Sequence, residues 1–200
     1  MGKTLRPVPQ VKSHINNLLD SVDDRFAITW KEKHTKKKNF DDWKHEAEQE
    51  RPLSLNQMKE LMMLCWEGNP ELGIKRDFRV AFKMAEKLDA EGDIVGKAYF
   101  GEMLCKEPFC EVLRGLTCLG FAAGKGSDVA AFYLAEYFMR PPLKDLEIDV
   151  EQALIHYQLS LSLAQDDSNS NRSMTAKQLA FAKFQVDDLD ETLSSSDSED

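Results

Sequence analysis

GDIVGKAYFGEML, residues 92–104, and GSDVAAFYLAEYF, residues 126–138, align without gaps at an offset of 34 residues. Gly92 pairs with Gly126, Val95 with Val129, Tyr99 with Tyr133 and Glu102 with Glu136. Phe100-Gly101 faces Leu134-Ala135, a large apolar residue followed by a tiny one in both copies. Self-similarity at a period of roughly 20–50 residues is the mark of stacked supersecondary units, each unable to bury its apolar face alone.

The flanks extend the pattern. Asp77-Phe78-Arg79-Val80-Ala81-Phe82 matches Glu111-Val112-Leu113-Arg114-Gly115-Leu116 at the same offset, and Asp149-Val150-Glu151-Gln152-Ala153-Leu154 at 72. Asp77 and Asp149 are suited to accept hydrogen bonds from the open N–H groups of a helix start. Gly92 and Gly126 suit the left-handed residue that ends a helix, with Asp93 and Ser127 ready to cap the next. The pattern is a B helix ending and an A helix beginning almost at once. Small residues recur at Ala81, Gly101, Gly115, Ala135 and Ala153, where antiparallel helices must approach closely; a larger side chain there overpacks by roughly 1–3 kcal/mol. Ser54 and Gln57 form a capping box that opens the first unit, whose helix runs to about Glu67 before Gly68, Asn69 and Pro70 break it. Ser173 to Phe184, with Leu179-Ala180, reads as a last A-like helix capping the array. The fold class expected is all-α: an α-α superhelix, a short solenoid of antiparallel helix pairs.

These residues resemble the Sel-one-like repeats, relatives of the tetratricopeptide repeats, whose pattern reads roughly GVxxDxxKAxxWxxxAAxxGDxxAQxxLGxMY. Gly73-Ile74-Lys75-Arg76-Asp77 corresponds to its opening, Ala81 to its alanine, Gly92-Asp93 to its turn and Phe100-Gly101-Glu102-Met103-Leu104 to LGxMY. The resemblance covers residues 55–164 and extends weakly to 184. Val80 stands where the family has lysine, Met84 where it has tryptophan, and the second unit lacks the usual loop glycines between Cys105 and Cys110. The resemblance implies a right-handed superhelix whose A helices line a concave face, and a role as an adaptor or assembly factor. It carries over no catalytic residue, because the family motif is a packing motif.

Working outward, residues 1–52 read as an N-terminal helix and charged linker or cap, 53–184 as the repeat domain, and 185–200 as a disordered acidic tail. Val11, Ile15, Leu18, Leu19 and Val22 recur at helical spacing, fit either to pack on the first repeat or to bind a partner. The net charge is −9, of which seven acids and no base fall after Val186, so the remainder carries only −2. That balance argues against general nucleic-acid binding. No stretch has the roughly 18–20 apolar residues of a membrane span. The four cysteines lack CxxC spacing and read as reduced thiols, placing the chain in the cytoplasm with the nucleus as second compartment.

Tyr99, Glu102, Tyr133 and Glu136 are the candidate partner-binding strip on the A helices, set against the alternative that the tyrosines pack between units and the glutamates are solvated. Lys31, Lys33, Lys36, Lys37 and Lys38 lie near aromatics, as in a nucleic-acid strip, but Asp41, Asp42, Glu46, Glu48 and Glu50 follow, so a solvated helix face or linker competes. Ser194, Ser196 and Ser198 have the acidic context of phosphorylation sites; an unmodified solubilising tail is the alternative. The histidines are scattered, and no phosphate-binding loop or metal spacing occurs, so neither catalysis, metal nor cofactor is expected. The expected function is a monomeric protein-interaction adaptor holding a peptide or helix of a client. The alternatives are a mitochondrial or other assembly factor and a nucleic-acid-associated protein using Lys31–Lys38.

Overall fold

The computed structural model describes residues 24–106, 108–143 and 146–196, with every regular element helical. The helices are α1 (Asp24–Glu48), α2 (Leu55–Glu67), α3 (Phe78–Ala90), α4 (Ile94–Cys105), α5 (Val112–Gly124), α6 (Asp128–Met139), α7 (Val150–Gln165) and α8 (Ala176–Ser196). A short 3₁₀ turn, Pro70–Leu72, follows α2. From α2 onward each helix packs on its successor, and α4 also packs on α6. Thus α2/α3, α4/α5 and α6/α7 are three A/B pairs, and α8 is a fourth A helix: an α-α superhelix.

The caps lie where the sequence puts them. Ser54 Oγ accepts from Gln57 N–H while Ser54 N–H donates to Gln57 Oε1 at 2.8 Å. Asp77 accepts from Val80 N–H at 3.2 Å, Asp93 from Gly96 N–H at 2.8 Å, Ser127 from Ala130 N–H at 3.3 Å and Asp149 from Gln152 N–H at 2.9 Å. Gly92 and Gly126 take φ of 79° and 86°, the left-handed conformation a helix stop needs. Glu111 makes no side-chain cap; its longer carboxylate turns to Arg114 at 2.9 Å. In the loop without glycine, Cys110 itself adopts φ of 52°.

The small residues mark where backbones meet. A Cβ on Gly101 would lie 2.8 Å from the Gly115 carbonyl oxygen, and one on Gly115 would lie 2.6 Å from the Gly101 carbonyl oxygen and collide with Cys105 Sγ. These two glycines therefore set the distance between α4 and α5, and any side chain at either would wedge the pair apart. Ala81, Ala135 and Ala153 are fully buried. Gly96, which the repeat alignment does not single out because Ala130 faces it, is equally constrained: a Cβ there would collide with Leu88 Cβ.

At the N-terminal end the helix-face and cap readings apply, and the C-terminal end differs from the sequence expectation. The charged segment 31–38 is part of α1, which lays Phe40 and Ala47 into the core and pairs Lys44 with Asp77 at 2.6 Å. The helix at the other end begins with a second capping box, Thr175 with Gln178, and does not stop at Phe184. It continues to Ser196, so the expectation of disorder from residue 185 is corrected: Val186, Leu189 and Leu193 recur at helical spacing, Leu189 is buried and the other two pack on the core. Counting the acids had hidden that stripe. The amphipathic stretch Val11–Val22 lies outside the described residues, as does Ser198.

Candidate functional site

The strip expected on the A helices is not a surface. Tyr99 and Glu102 on α4 are 0% and 2% exposed, Tyr133 on α6 is 8%, and only Glu136 is half-buried. Tyr99 packs against Tyr133, Glu102 is covered by Tyr137 and Lys106, and α8 covers the Tyr133 end of this face. The carboxylate of Asp128, at the start of α6 and itself buried, accepts from Ser173 N–H at 2.8 Å and Met174 N–H at 3.1 Å, fixing the chain just before α8. Gln178 Nε2 then reaches Tyr133 Oη at 3.4 Å, and Phe181 meets the rings of Phe132 and Tyr157 edge-on at 6.2 and 6.4 Å. Burial raises the Glu67 carboxyl at the end of α2, and the charges of Arg76 and Lys177 act against it.

Behind this cover the tyrosines stack edge to face, Tyr99 against Tyr133 at 6.2 Å between centroids. The Tyr99 hydroxyl is buried without a hydrogen-bond partner. Burial, together with the charges of Glu67, Asp128 and Glu102, raises its pKa. The glutamates are not simply solvated either. Tyr137 donates to Glu102 Oε2 at 2.6 Å, Lys106 pairs with the other Glu102 oxygen, and Tyr157 donates to Glu136. Burial first, then the Glu102 charge, drives the Tyr137 hydroxyl far above its ordinary pKa, so at neutral pH it serves only as a donor. Each carboxylate thus fastens neighbouring helices: Glu102 joins α4 to α6, and Glu136 joins α6 to α7.

What remains open is a cleft of about 320 Å³ between the C-terminal ends of α4 and α6, lined by Glu102, Lys106, Phe132, Tyr133, Glu136, Tyr137 and Arg140. Three of the four predicted residues meet there, while Tyr99 lies behind. Lys106 and Arg140 are its exposed rim; Lys106 also lies 5.5 Å over the Trp66 ring, and Arg140 makes no ion pair among the described residues. The sequence reading missed Lys106, Phe132, Tyr137 and Asp128. Tyr137 stands one turn after Tyr133, a spacing that was legible; Asp128 gave no signal, because its partners are backbone groups 45 residues away.

The lysine cluster is largely spent. Lys33 pairs with Glu71 at 2.8 Å, Lys37 with Asp41, and Lys38 with Asp42 at 3.7 Å, which leaves Lys31 and Lys36. Cys65 and Cys105 are buried, and burial pushes their thiols up to about 12 and about 11, so neither is a reactive thiolate at neutral pH. No three His, Cys, Asp or Glu side chains gather into a cation cage among the described residues. No described helix is long and apolar enough to cross a membrane. Ser194 and Ser196 fall in the last turns of α8.

Fold and cleft together define an all-helical repeat array with a shaped surface between two adjacent A helices. Among solved structures, the chain is similar to a protective antigen present in uropathogenic Escherichia coli strains that displays an SLR (Sel-one-like repeat) fold, at 19% identity and a TM-score of 0.44, covering 76% of this chain. The chain spans 40% of that antigen's length. It is also similar to an immunity protein from Pseudomonas aeruginosa, at 16% identity and a TM-score of 0.31, covering 76% of this chain and 73% of the other. No protein-family model matches the sequence, and no curated protein matches it.

Proposed function

We propose that the chain is a non-catalytic protein-interaction scaffold of the Sel-one-like repeat kind, monomeric, which holds a segment of a client protein in the cleft between α4 and α6. The observation that carries this reading is the rigid build of the cleft. Glu102 and Glu136 are each fastened to a neighbouring helix by a tyrosine hydroxyl, so its walls are formed before any client arrives. Preformed walls lower the ordering cost of association. Aromatic faces beside exposed cations are the side chains that dominate protein recognition. An exposed free thiol, Cys110, fits a reducing compartment and supports the cytoplasm as the working location.

The test is affinity capture from the native cell with the intact chain and with a Lys106→Glu, Arg140→Glu double variant. Both side chains are exposed, but Lys106 answers the buried Glu102 carboxylate, so a thermal melt checks the fold and Arg140→Glu alone gives a second reading should the double variant melt early. Loss of the captured client from the variant is expected; equal recovery would rule the cleft out.

A further inference from the structure

We propose that a second surface, an apolar groove where α5, α6 and the loop before α7 meet, is a seat for a base-flanked apolar segment of a partner protein. The groove has a volume of about 260 Å³ and is lined chiefly by Leu116, Leu134, Phe138, Pro141, Pro142 and Leu146. Tyr137 separates it from the α4/α6 cleft, lining both. Exposed apolar side chains concentrate around it: Leu146 is 47% exposed, Ile148 63%, and Leu113, which shares the adjoining hollow with Leu143, is 73%. Single exposed apolar residues are ordinary on a soluble protein, whereas a contiguous set beside a groove marks an interaction surface.

The repeat supplies an internal control. Leu113, Thr117 and Phe121 form the outer stripe of α5, and their counterparts 34 residues earlier on α3 are Arg79, Lys83 and Lys87. Packing of the array does not call for an apolar residue at these positions, because α3 fills them with cations. Phe121 is taken up within the array, lying under the ammonium groups of Lys97 and Lys125 at 5.2 and 5.9 Å, so Leu113, 73% exposed, is the departure that serves something outside it.

Charge decides what that something is. Asp77, the cap of α3, is answered by Lys44 at 2.6 Å. Its counterpart Asp149, the cap of α7, lines the groove beside Glu147, and neither makes an ion pair among the described residues. Of the nearby cations, Arg114 is already engaged by Glu111 and lies over the Phe100 ring, while Arg140 lines the cleft beyond Tyr137. The groove thus offers an apolar floor with two carboxylates on its rim that no cation among the described residues answers. That suits a large apolar side chain flanked by lysine or arginine. The two prolines fix the backbone of one wall in advance.

The test is selection of a random dodecapeptide library displayed on phage against the intact chain. Enriched peptides are expected to carry a large apolar residue within one helical turn of lysine or arginine. Their affinity should fall about tenfold or more in Leu146→Asp, since a buried leucine-sized contact is lost, and by less in Glu147→Lys. Leu113→Asp, at a still more exposed position, gives a second reading should Leu146→Asp melt early. Lys106→Glu, in the neighbouring cleft, should leave the peptides bound. Peptides that are acidic, or that bind Leu146→Asp as tightly as the parent, would overturn the seat. So would a dimer in sedimentation that Leu146→Asp dissolves, because the occupant would then be a second copy. An empty selection overturns the seat too, while the α4/α6 cleft stands or falls by its own capture experiment.

Discussion

The middle of the array and its two ends are held by different physics. Between α4 and α5, Gly101 and Gly115 bring backbone against backbone, with the Cys105 thiol donating to the Val112 carbonyl at 3.7 Å beside them. At the ends, charged groups reach across. Asp128 binds the N–H groups of Ser173 and Met174 to seat α8, and Lys44 and Lys33 tie α1 to Asp77 and Glu71. A repeat in the middle has a neighbour on each side and can set its α4/α5 seam by shape, while Glu102 and Glu136 add directed contacts on either side of α6. A terminal helix has one neighbour, buries less, and is fixed by a few directed contacts. The middle should therefore fail cooperatively, and each end locally.

Gly115→Val is the harshest break of the middle. Its Cβ would lie 2.6 Å from the Gly101 carbonyl oxygen, a backbone atom that cannot swing away, and the branched methyls would add to the clash. The expected cost is about 3 kcal/mol or more. It should appear as a lower urea midpoint for all helices together, read by circular dichroism. A variant that loses less than the roughly 1 kcal/mol typical of point mutations would show that the α4/α5 seam is not set by this contact.

The same contrast governs how much could be read from the sequence. Repeats, caps and helix pairing are local or periodic, so Asp77, Gly92, Gly126 and Asp149 announce themselves by spacing. Gly101 and Gly115 are legible as close contacts because glycine inside a helix is otherwise disfavoured. The burial of the tyrosines was legible as the alternative of packing between units; the part played by α8 was not, since the contact that seats α8 joins Asp128 to backbone N–H groups that carry no residue identity. The length of α8 was misread for a different reason. Asp187, Asp188 and Asp190 dominate composition, whereas Val186, Leu189 and Leu193 decide packing through their period. The departure of Leu113 and Phe121 from the basic stripe of α3 is visible in the aligned repeats once their exposure is known.

Asp128→Ala tests the α8 end. The carboxylate is buried and accepts from two backbone N–H groups and the Ser173 hydroxyl of the incoming chain, as well as from Val129 N–H. Its loss should cost about 1.5–3 kcal/mol, the range for hydrogen bonds to a charged group. Because an end should open by itself, amide exchange is expected to speed up in α8 and at Tyr133 while α3 and α4 keep their protection. Uniform acceleration throughout the chain would mean that α8 is part of the cooperative middle.

The smallest effect is expected at α1, where the sign with pH can be worked out. Burial alone would raise the Asp77 carboxyl, but the Lys44 ammonium and the Val80 N–H outweigh it and hold it below its ordinary value. A carboxyl depressed in the folded state contributes stability that is complete above its unfolded pKa of about 3.9 and is lost as pH falls through the folded value. Lys44 is raised, by the hydrogen bond to Asp77 first, so its share is complete at neutral pH and lost only as pH rises through its folded value, above the ordinary lysine range. Between about pH 5 and 9, then, the docking of α1 should not vary with this pair; below about pH 4 it should weaken. The pair is about one-third exposed, so solvent screens it, and Lys44→Met should cost only about 0.5–1 kcal/mol. Amide exchange at Phe40 and Ala47 reports the docking directly. In Lys44→Met those amides should exchange faster at neutral pH and lose most of their extra acid sensitivity. A variant that keeps the parent's acid response would assign the seat of α1 to Phe40 and Ala47 packing, and would make that end a smaller version of the middle.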